Sequence, residues 1–113
     1  MTYFEIALNF HQCNDYENAL LYYDKALREH PRDFQILSNQ GAVFQKLRRF
    51  EDALVSYNSA IALTQDHAVI FNNRGVSLQE LHRLDESIAD FDRAIALNPS
   101  YPQAYVNRGF VHH

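Results

Sequence analysis

Large apolar residues recur along the chain with the spacing of one face of a helix. Leu37, Phe44 and Leu47 follow the i, i+7 and i+10 positions of one helical stripe, and Gly41 lies between them. The next stretch, EDALVSYNSAIAL, has the same type of pattern around Tyr57. The pattern predicts helices near 2–13, 17–29, 34–47, 51–63, 68–81, 85–97 and 102–111.

The pattern itself repeats every 34 residues, as the small residues at positions 7, 41, 75 and 109 illustrate. Aromatic or aliphatic residues at 3, 37, 71 and 105 keep the same interval, and so do the alanines at 26, 60 and 94. A fixed period of this size is typical of stacked repeats, in which each unit buries its apolar face against its neighbours. We therefore predict an all-α helix-turn-helix solenoid of about three and a half repeats. It forms a single domain over 1–113, with repeats at 1–33, 34–67, 68–101 and a partial fourth at 102–113.

Composition narrows the class of function. The chain is 47% hydrophobic and has a net charge of −4, with its Lys and Arg residues scattered rather than clustered. Nucleic-acid binders concentrate basic charge against phosphates, so we expect no nucleic-acid partner. We also expect no membrane partner, because no stretch approaches the roughly 20 apolar residues of a membrane span. A single cysteine, Cys13, excludes an internal disulfide and fits a reducing, cytoplasmic location.

Candidate catalytic groups are sparse. His11 and Cys13 are two residues apart on one helix, so their side chains diverge and cannot act as a base and a nucleophile. His112 and His113 are too few for a dedicated zinc site. We predict no catalytic residue, no cofactor and no metal.

The acidic pair Asp90 and Asp92 lies beside Arg93, which is the pattern of a solvated helix face. We also expect the first helices of the second and third repeats to begin at side-chain caps. The candidates for these and for the last helix are Asp33, Asp66 and Ser100.

The repeated residues resemble those of the tetratricopeptide repeat family, which has a small or Gly residue after an aromatic or Leu and then Ala-x3-aromatic. The second repeat reads Leu37-x2-Gln40-Gly41-x2-Phe44, then Ala53-x3-Tyr57, and the third begins with FNNRG. This resemblance is closest to bacterial-type repeats that contain Asn-Asn-Arg-Gly.

The resemblance implies a right-handed superhelix whose concave groove, lined by the first helices, binds an extended peptide or a partner helix. Asn amides repeated along this groove offer two donors and an acceptor to a peptide backbone. The alternative is that each Asn only ties neighbouring helices together. The residues that we expect to contact a peptide are Asn39, Asn73, Asn107, Asn72, Gln35, Gln45, Gln79 and Val76.

The chain departs from the family pattern at two places. Gln40, Arg74 and Arg108 replace the usual Leu before the Gly, and we expect their stems to cover the helix while their head groups stay in water. The turn between paired helices, where the family often has Gly, carries Asn14, Arg48 and His82. We therefore predict positive φ at Arg48 and His82.

One subclass of the family binds the C-terminal carboxylate of heat-shock chaperones through Lys, Asn and Arg residues. With the first repeat leading, the equivalent places hold Phe4, Leu8, Asn39, Val69 and Asn73. Shifted by one repeat, they hold Ser38, Ala42, Asn73, Gln103 and Asn107. Neither set supplies a cation, so we expect no partner of the chaperone C-terminal carboxylate type.

The leading interpretation is a non-catalytic protein–protein interaction module. One alternative is a fragment of the substrate-gripping repeat region of a larger enzyme, such as an O-linked N-acetylglucosamine-type glycosyltransferase. Another is a self-stacking assembly unit. Tyr105, Val106 and Phe110 lie on a last helix without a covering partner in the repeat, and we expect them to promote self-association as a homodimer.

Overall fold

The computed structural model describes residues 1–111, and His112 and His113 lie outside that range. The helices in order are α1 (Tyr3–Gln12), α2 (Tyr16–Glu29), α3 (Phe34–Lys46), α4 (Phe50–Leu63), α5 (Ala68–Glu80), α6 (Leu84–Leu97) and α7 (Pro102–Val111). Every predicted helix is confirmed, with no end displaced by more than one residue. None of these helices has both the length and the apolar character needed to cross a membrane.

The helices stack in chain order into an elongated body of 43 × 25 × 22 Å. Three clusters of buried side chains follow one another along it. Leu27 contacts both the first and the second cluster, and Ile61 contacts both the second and the third. The core is thus continuous from one repeat to the next, which confirms the all-α repeat solenoid.

Two glycines allow the paired helices to approach closely. A Cβ atom added at Gly41 would lie 2.6 Å from the Tyr57 ring, and one added at Gly75 would lie 2.7 Å from the Phe91 ring. Both rings are fully buried, so they have little room to move away. At these two positions, therefore, Gly allows the close packing of the two helices of a repeat.

The turn inside each repeat has the same hydrogen bonds. The φ angles of Asn14, Arg48 and His82 are 61°, 59° and 61°, which confirms the predicted left-handed turn residues. In the second repeat, the Arg48 N–H donates to the Gln45 carbonyl at 3.0 Å and the next N–H donates to the Phe44 carbonyl at 2.8 Å. This pair of bonds is the Schellman motif, which satisfies carbonyls at the end of the first helix.

The helix starts follow the predictions only in part. Asp33 caps α3, because its side chain accepts from two backbone N–H groups, at 2.9 and 3.4 Å. The prediction for Asp66 is wrong: His67 precedes α5, and no side chain caps that helix. The prediction for Ser100 is wrong as well, because α7 begins at Pro102, whose fixed φ and missing N–H suit the first position of a helix.

Candidate functional site

The amides predicted to line the groove recur in three successive first helices. Asn39 in α3, Asn73 in α5 and Asn107 in α7 are each half-buried, so part of each side chain remains accessible. Gln35 is exposed, and Val76 and Gln79 are half-buried. The accessible surface along these helices therefore combines amides with an aliphatic side chain.

Gln45 has a structural task that its sequence position does not reveal. Its Nε2 donates to the Asn73 carbonyl at 2.6 Å and to Ser77 Oγ at 2.7 Å, and its Oε1 accepts from the Tyr57 hydroxyl at 3.0 Å. The side chain thus joins α3, α4 and α5. With its amide occupied in this way, Gln45 supports the surface rather than offering free groups to a ligand.

In each of the first two repeats a buried tyrosine lies beneath the amide of the following repeat. Burial raises the pKa of Tyr57, and the Asn73 amide partly offsets the rise. In the first repeat, burial raises the pKa of Tyr23 to about 12, again with a smaller opposing effect of Asn39. The Tyr23 hydroxyl lies 2.9 Å from Nδ1 of His11, which holds the place that Gln has in the later repeats.

The amide of the partial fourth repeat, Asn107, is held differently. Phe91 occupies the place of the two tyrosines and has no hydroxyl. Asn107 Nδ2 instead donates to Asn72 Oδ1 at 3.0 Å, which joins α7 to α5. Asn72 is only 3% exposed. Sequence reasoning placed Asn72 in the groove, but the structure uses this amide between helices and leaves it almost no accessible surface.

The structure also contradicts the expectation of solvated charges at Arg74 and Asp90. Asp90 is buried, and Arg74 binds it through two hydrogen bonds of 2.7 Å while donating a third, of 3.1 Å, to Asn58. Gln40 and Ser56 pair at 2.9 Å in the second repeat. In both pairs the two partners are sixteen residues apart, at the same two positions of their repeat. This shared spacing was the sequence signal from which the pairing could have been predicted.

Three surface pockets lie away from the amides. One of about 260 Å³ is lined by the Arg74–Asp90 pair, and two of about 540 and 530 Å³ lie near the start of α1 and before α3. None of the three is lined by Asn39, Asn73 or Asn107. Within residues 1–111 no group of three or more His, Cys, Asp or Glu side chains is arranged to hold a metal ion. The candidate site is thus an open helical face.

Family models match most of the chain. One described as tetratricopeptide repeat matches residues 5–68, and another described as TPR repeat matches residues 80–113. The chain belongs to the tetratricopeptide repeat family. A comparison with curated proteins found no match.

Solved structures share the fold at low sequence identity. The second TPR domain of human RPAP3, solved with the HSP70 peptide SGPTIEEVD, is 21% identical with a TM-score of 0.95, over 99% of this chain and 93% of that one. The Arabidopsis OM64 TPR domain is 23% identical with a TM-score of 0.93, over 96% and 90% of the two chains. MamA from Desulfovibrio magneticus is 22% identical with a TM-score of 0.93, over 97% of this chain and 62% of its own.

Proposed function

We propose that this chain is a non-catalytic protein-interaction module that holds an extended segment of a partner across its first helices. The observation that carries the proposal is one amide at the same place in three successive first helices, as Asn39, Asn73 and Asn107, of which Asn107 also pairs with Asn72. Each amide is partly accessible. Membership of the repeat family supports this class of function, and so does the fold shared with a human domain solved with a bound peptide.

An amide ladder suits an extended backbone because it recognises groups that every residue carries. Each Asn side chain has two donors and one acceptor, and a peptide backbone alternates N–H and C=O groups. The Gln45 bridge fixes the backbone at Asn73 through the 2.6 Å bond to its carbonyl. A surface held in place before binding loses less conformational entropy when the partner arrives.

The charges of this surface favour a partner other than an acidic peptide terminus. The peptide solved with the human domain ends in Glu-Glu-Val-Asp. Where a carboxylate-binding repeat needs cations, this chain has Val69 and Asn73 in one register and Gln103 and Asn107 in the other. A carboxylate binds best to charged donors, so we expect SGPTIEEVD to show no saturable binding at micromolar concentration, even at low salt.

The main experiment selects a peptide by display against the natural chain and titrates it against two variants. Asn73→Ala removes the central amide and should weaken binding by roughly 1–2 kcal/mol, as for lost paired hydrogen bonds. Asn9→Ala is the matched control, because it removes an exposed amide of α1 outside the ladder. Affinity is measured by isothermal titration, and thermal unfolding of each variant is followed by circular dichroism.

Two results would contradict the proposal. If the selected peptide shifts the NMR signals of residues on the first helices, yet Asn73→Ala leaves its affinity unchanged, the ladder has no part in binding. If Asn73→Ala instead lowers the melting temperature strongly, its amide ties helices together, which is the alternative role.

A further inference from the structure

Two amides of the ladder, Asn39 and Asn73, are each held from the preceding repeat through a tyrosine, but the group behind the tyrosine differs. In the second repeat the Tyr57 hydroxyl donates to Gln45 Oε1 at 3.0 Å. In the first repeat His11 takes the place of Gln45, and its Nδ1 lies 2.9 Å from the hydroxyl of the equivalent tyrosine. The contacts therefore end in a neutral amide in one repeat and in a titratable imidazole in the other.

The arrangement in the second repeat has a fixed direction. Gln45 Nε2 donates to the Asn73 carbonyl and to Ser77 Oγ, so the other branch of this side chain, Oε1, faces Tyr57 as an acceptor. The Asn73 side chain acts on the Tyr57 oxygen as a donor, because it opposes the rise in the pKa of Tyr57 that burial causes. With Nδ2 turned toward the tyrosine, Asn73 has its Oδ1 free for a partner.

The first repeat has the same direction while His11 is neutral. Burial raises the pKa of Tyr23 to about 12, and the Asn39 amide opposes this rise as a donor to the hydroxyl oxygen. The hydroxyl proton therefore points toward His11, whose Nδ1 accepts it when the ring carries its own proton on Nε2. Asn39 then presents Oδ1 to the groove, as Asn73 does.

The surroundings of His11 keep it neutral at neutral pH. The rings of Tyr16 and Tyr23 on α2 meet the imidazole edge-on, at centroid distances of 6.2 and 6.0 Å, and the Lys46 ammonium faces it from α3. Burial, and then the Lys46 charge, lower the pKa of His11 below its ordinary value of 6.5. A proton is therefore added to this ring only in acid.

We propose that His11 is a positioning residue that sets, through Tyr23, which atoms of the Asn39 amide face the groove. When His11 is protonated, its Nδ1 donates to the Tyr23 oxygen instead of accepting from the hydroxyl. The hydroxyl proton then needs a new acceptor, because a buried donor without a partner is costly. A half-turn of the Asn39 amide supplies Oδ1 to this proton and places the two N–H groups of Nδ2 toward the groove.

The consequence for binding rests on the proposed role of the amides in holding a peptide. A peptide selected at neutral pH meets Asn39 with Oδ1 facing outward, and so contacts it through a donor such as a backbone N–H. Protonation of His11 removes that acceptor, and the affinity should fall about tenfold. Because such coupling is reciprocal, the bound peptide should lower the pKa of His11, by the same factor in proton affinity.

The first test needs no partner. The ¹⁵N-labelled chain is titrated from neutral to acid pH, and NMR follows the His11 imidazole and the side-chain amide of Asn39. Both should change with one midpoint. Tyr23→Phe copies the ring that Phe91 provides in the third repeat, and in this variant the Asn39 signals should no longer follow His11. Separate midpoints in the natural chain, or unaltered coupling in Tyr23→Phe, would overturn the proposal.

The second test measures the affinity of the selected peptide at neutral pH and at the pH where NMR shows His11 to be protonated. A peptide without His, Asp or Glu is used, so that its own charge stays constant. His11→Gln copies Gln45 and should lose the pH dependence. His30→Gln removes an exposed histidine outside these contacts and should retain the tenfold change. Circular dichroism establishes that each variant is folded at both pH values.

The results separate this proposal from the amide ladder itself. An affinity that does not fall on protonation, or one that falls equally in His11→Gln, shows that His11 does not regulate binding, even where Asn73→Ala establishes the ladder. If Asn73→Ala leaves the affinity unchanged, the ladder fails, and the titration without peptide still decides whether His11 orients Asn39.

Discussion

The second and third repeats have the same backbone but hold it with different polar chemistry. Both place a Gly against a fully buried aromatic ring, and both turn through a left-handed residue with φ near 60°. In the second repeat the polar contacts are neutral: Gln40 with Ser56, and Tyr57 with Gln45. In the third, a buried ion pair replaces the first contact, and the aromatic has no hydroxyl for the second.

The difference shows which places of the repeat are constrained by shape and which by hydrogen bonding. In these two repeats the Gly and the aromatic are constrained in size, because a Cβ atom on the Gly would collide with the ring. The polar place accepts any pair of side chains that satisfy each other, since burial costs free energy only when a polar group lacks its partner. Two repeats with the same backbone can therefore contain polar contacts of very different energies, and single variants can measure the difference.

The largest effect should come from the buried ion pair. Asp90→Ala leaves the Arg74 guanidinium, whose side chain is 23% exposed, without its carboxylate, and should lower the free energy of unfolding by about 2–4 kcal/mol. Ser56→Ala, the matched change in the second repeat, should cost only about 1 kcal/mol. Urea unfolding measures both. Equal losses of stability in the two variants would show that the charge of the pair adds nothing. The double variant Asp90→Ala, Arg74→Leu should regain part of the stability lost in Asp90→Ala, because it removes the unpaired charge as well.

The next largest difference is expected between Gly75, which lies against the Phe91 ring, and Gly109, which has open space around it. Gly75→Ala forces a methyl group against the Phe91 ring and should cost roughly 1–3 kcal/mol. Gly109→Ala has open space and a helical backbone, so it should stabilise by about 0.5–1 kcal/mol. Thermal unfolding measures both changes. A tolerated Gly75→Ala would mean that the paired helices can separate without loss.

The hydroxyl of the second repeat should have a smaller effect. Tyr57→Phe makes this place identical to that of Phe91 and leaves the Gln45 oxygen without its donor, at a cost of about 1 kcal/mol. The reverse change, Phe91→Tyr, places a hydroxyl toward Gln79 and should alter stability by less than about 0.5 kcal/mol. Chemical unfolding of both variants decides whether the hydroxyl stabilises the repeat. If Tyr57→Phe causes no loss of stability, the hydrogen bond between Tyr57 and Gln45 does not stabilise the repeat.

The smallest effects lie at the turns. Arg48→Gly and His82→Gly relieve a side chain from a left-handed conformation and should stabilise by a few tenths to about 1 kcal/mol each. The gain at Arg48 should be slightly smaller, because its exposed ion pair with Glu80 is lost. Melting temperatures of the single variants resolve the order. Destabilisation by either change would show that the turn side chains contribute more than their strained backbone costs.

The sequence by itself determined the helices, their register and the turns. These features depend on local chemistry that recurs every 34 residues: apolar spacing within a helix, a Gly opposite an aromatic, and a residue that must adopt positive φ. The agreement of all helix ends to within one residue follows from that repetition. The same columns also located the amides of Asn39, Asn73 and Asn107 on successive first helices.

Only the tertiary structure decided which polar side chains pair across helices. Spacing along one helix assigned Asp90 to a solvated face and Asn72 to the groove, yet both are buried against the neighbouring helix. Gln45 likewise proved to bridge three helices. The burial and partners of these groups depend on the angle and distance at which successive helices pack. That geometry results from the sum of many side-chain contacts and cannot be read from any one helix.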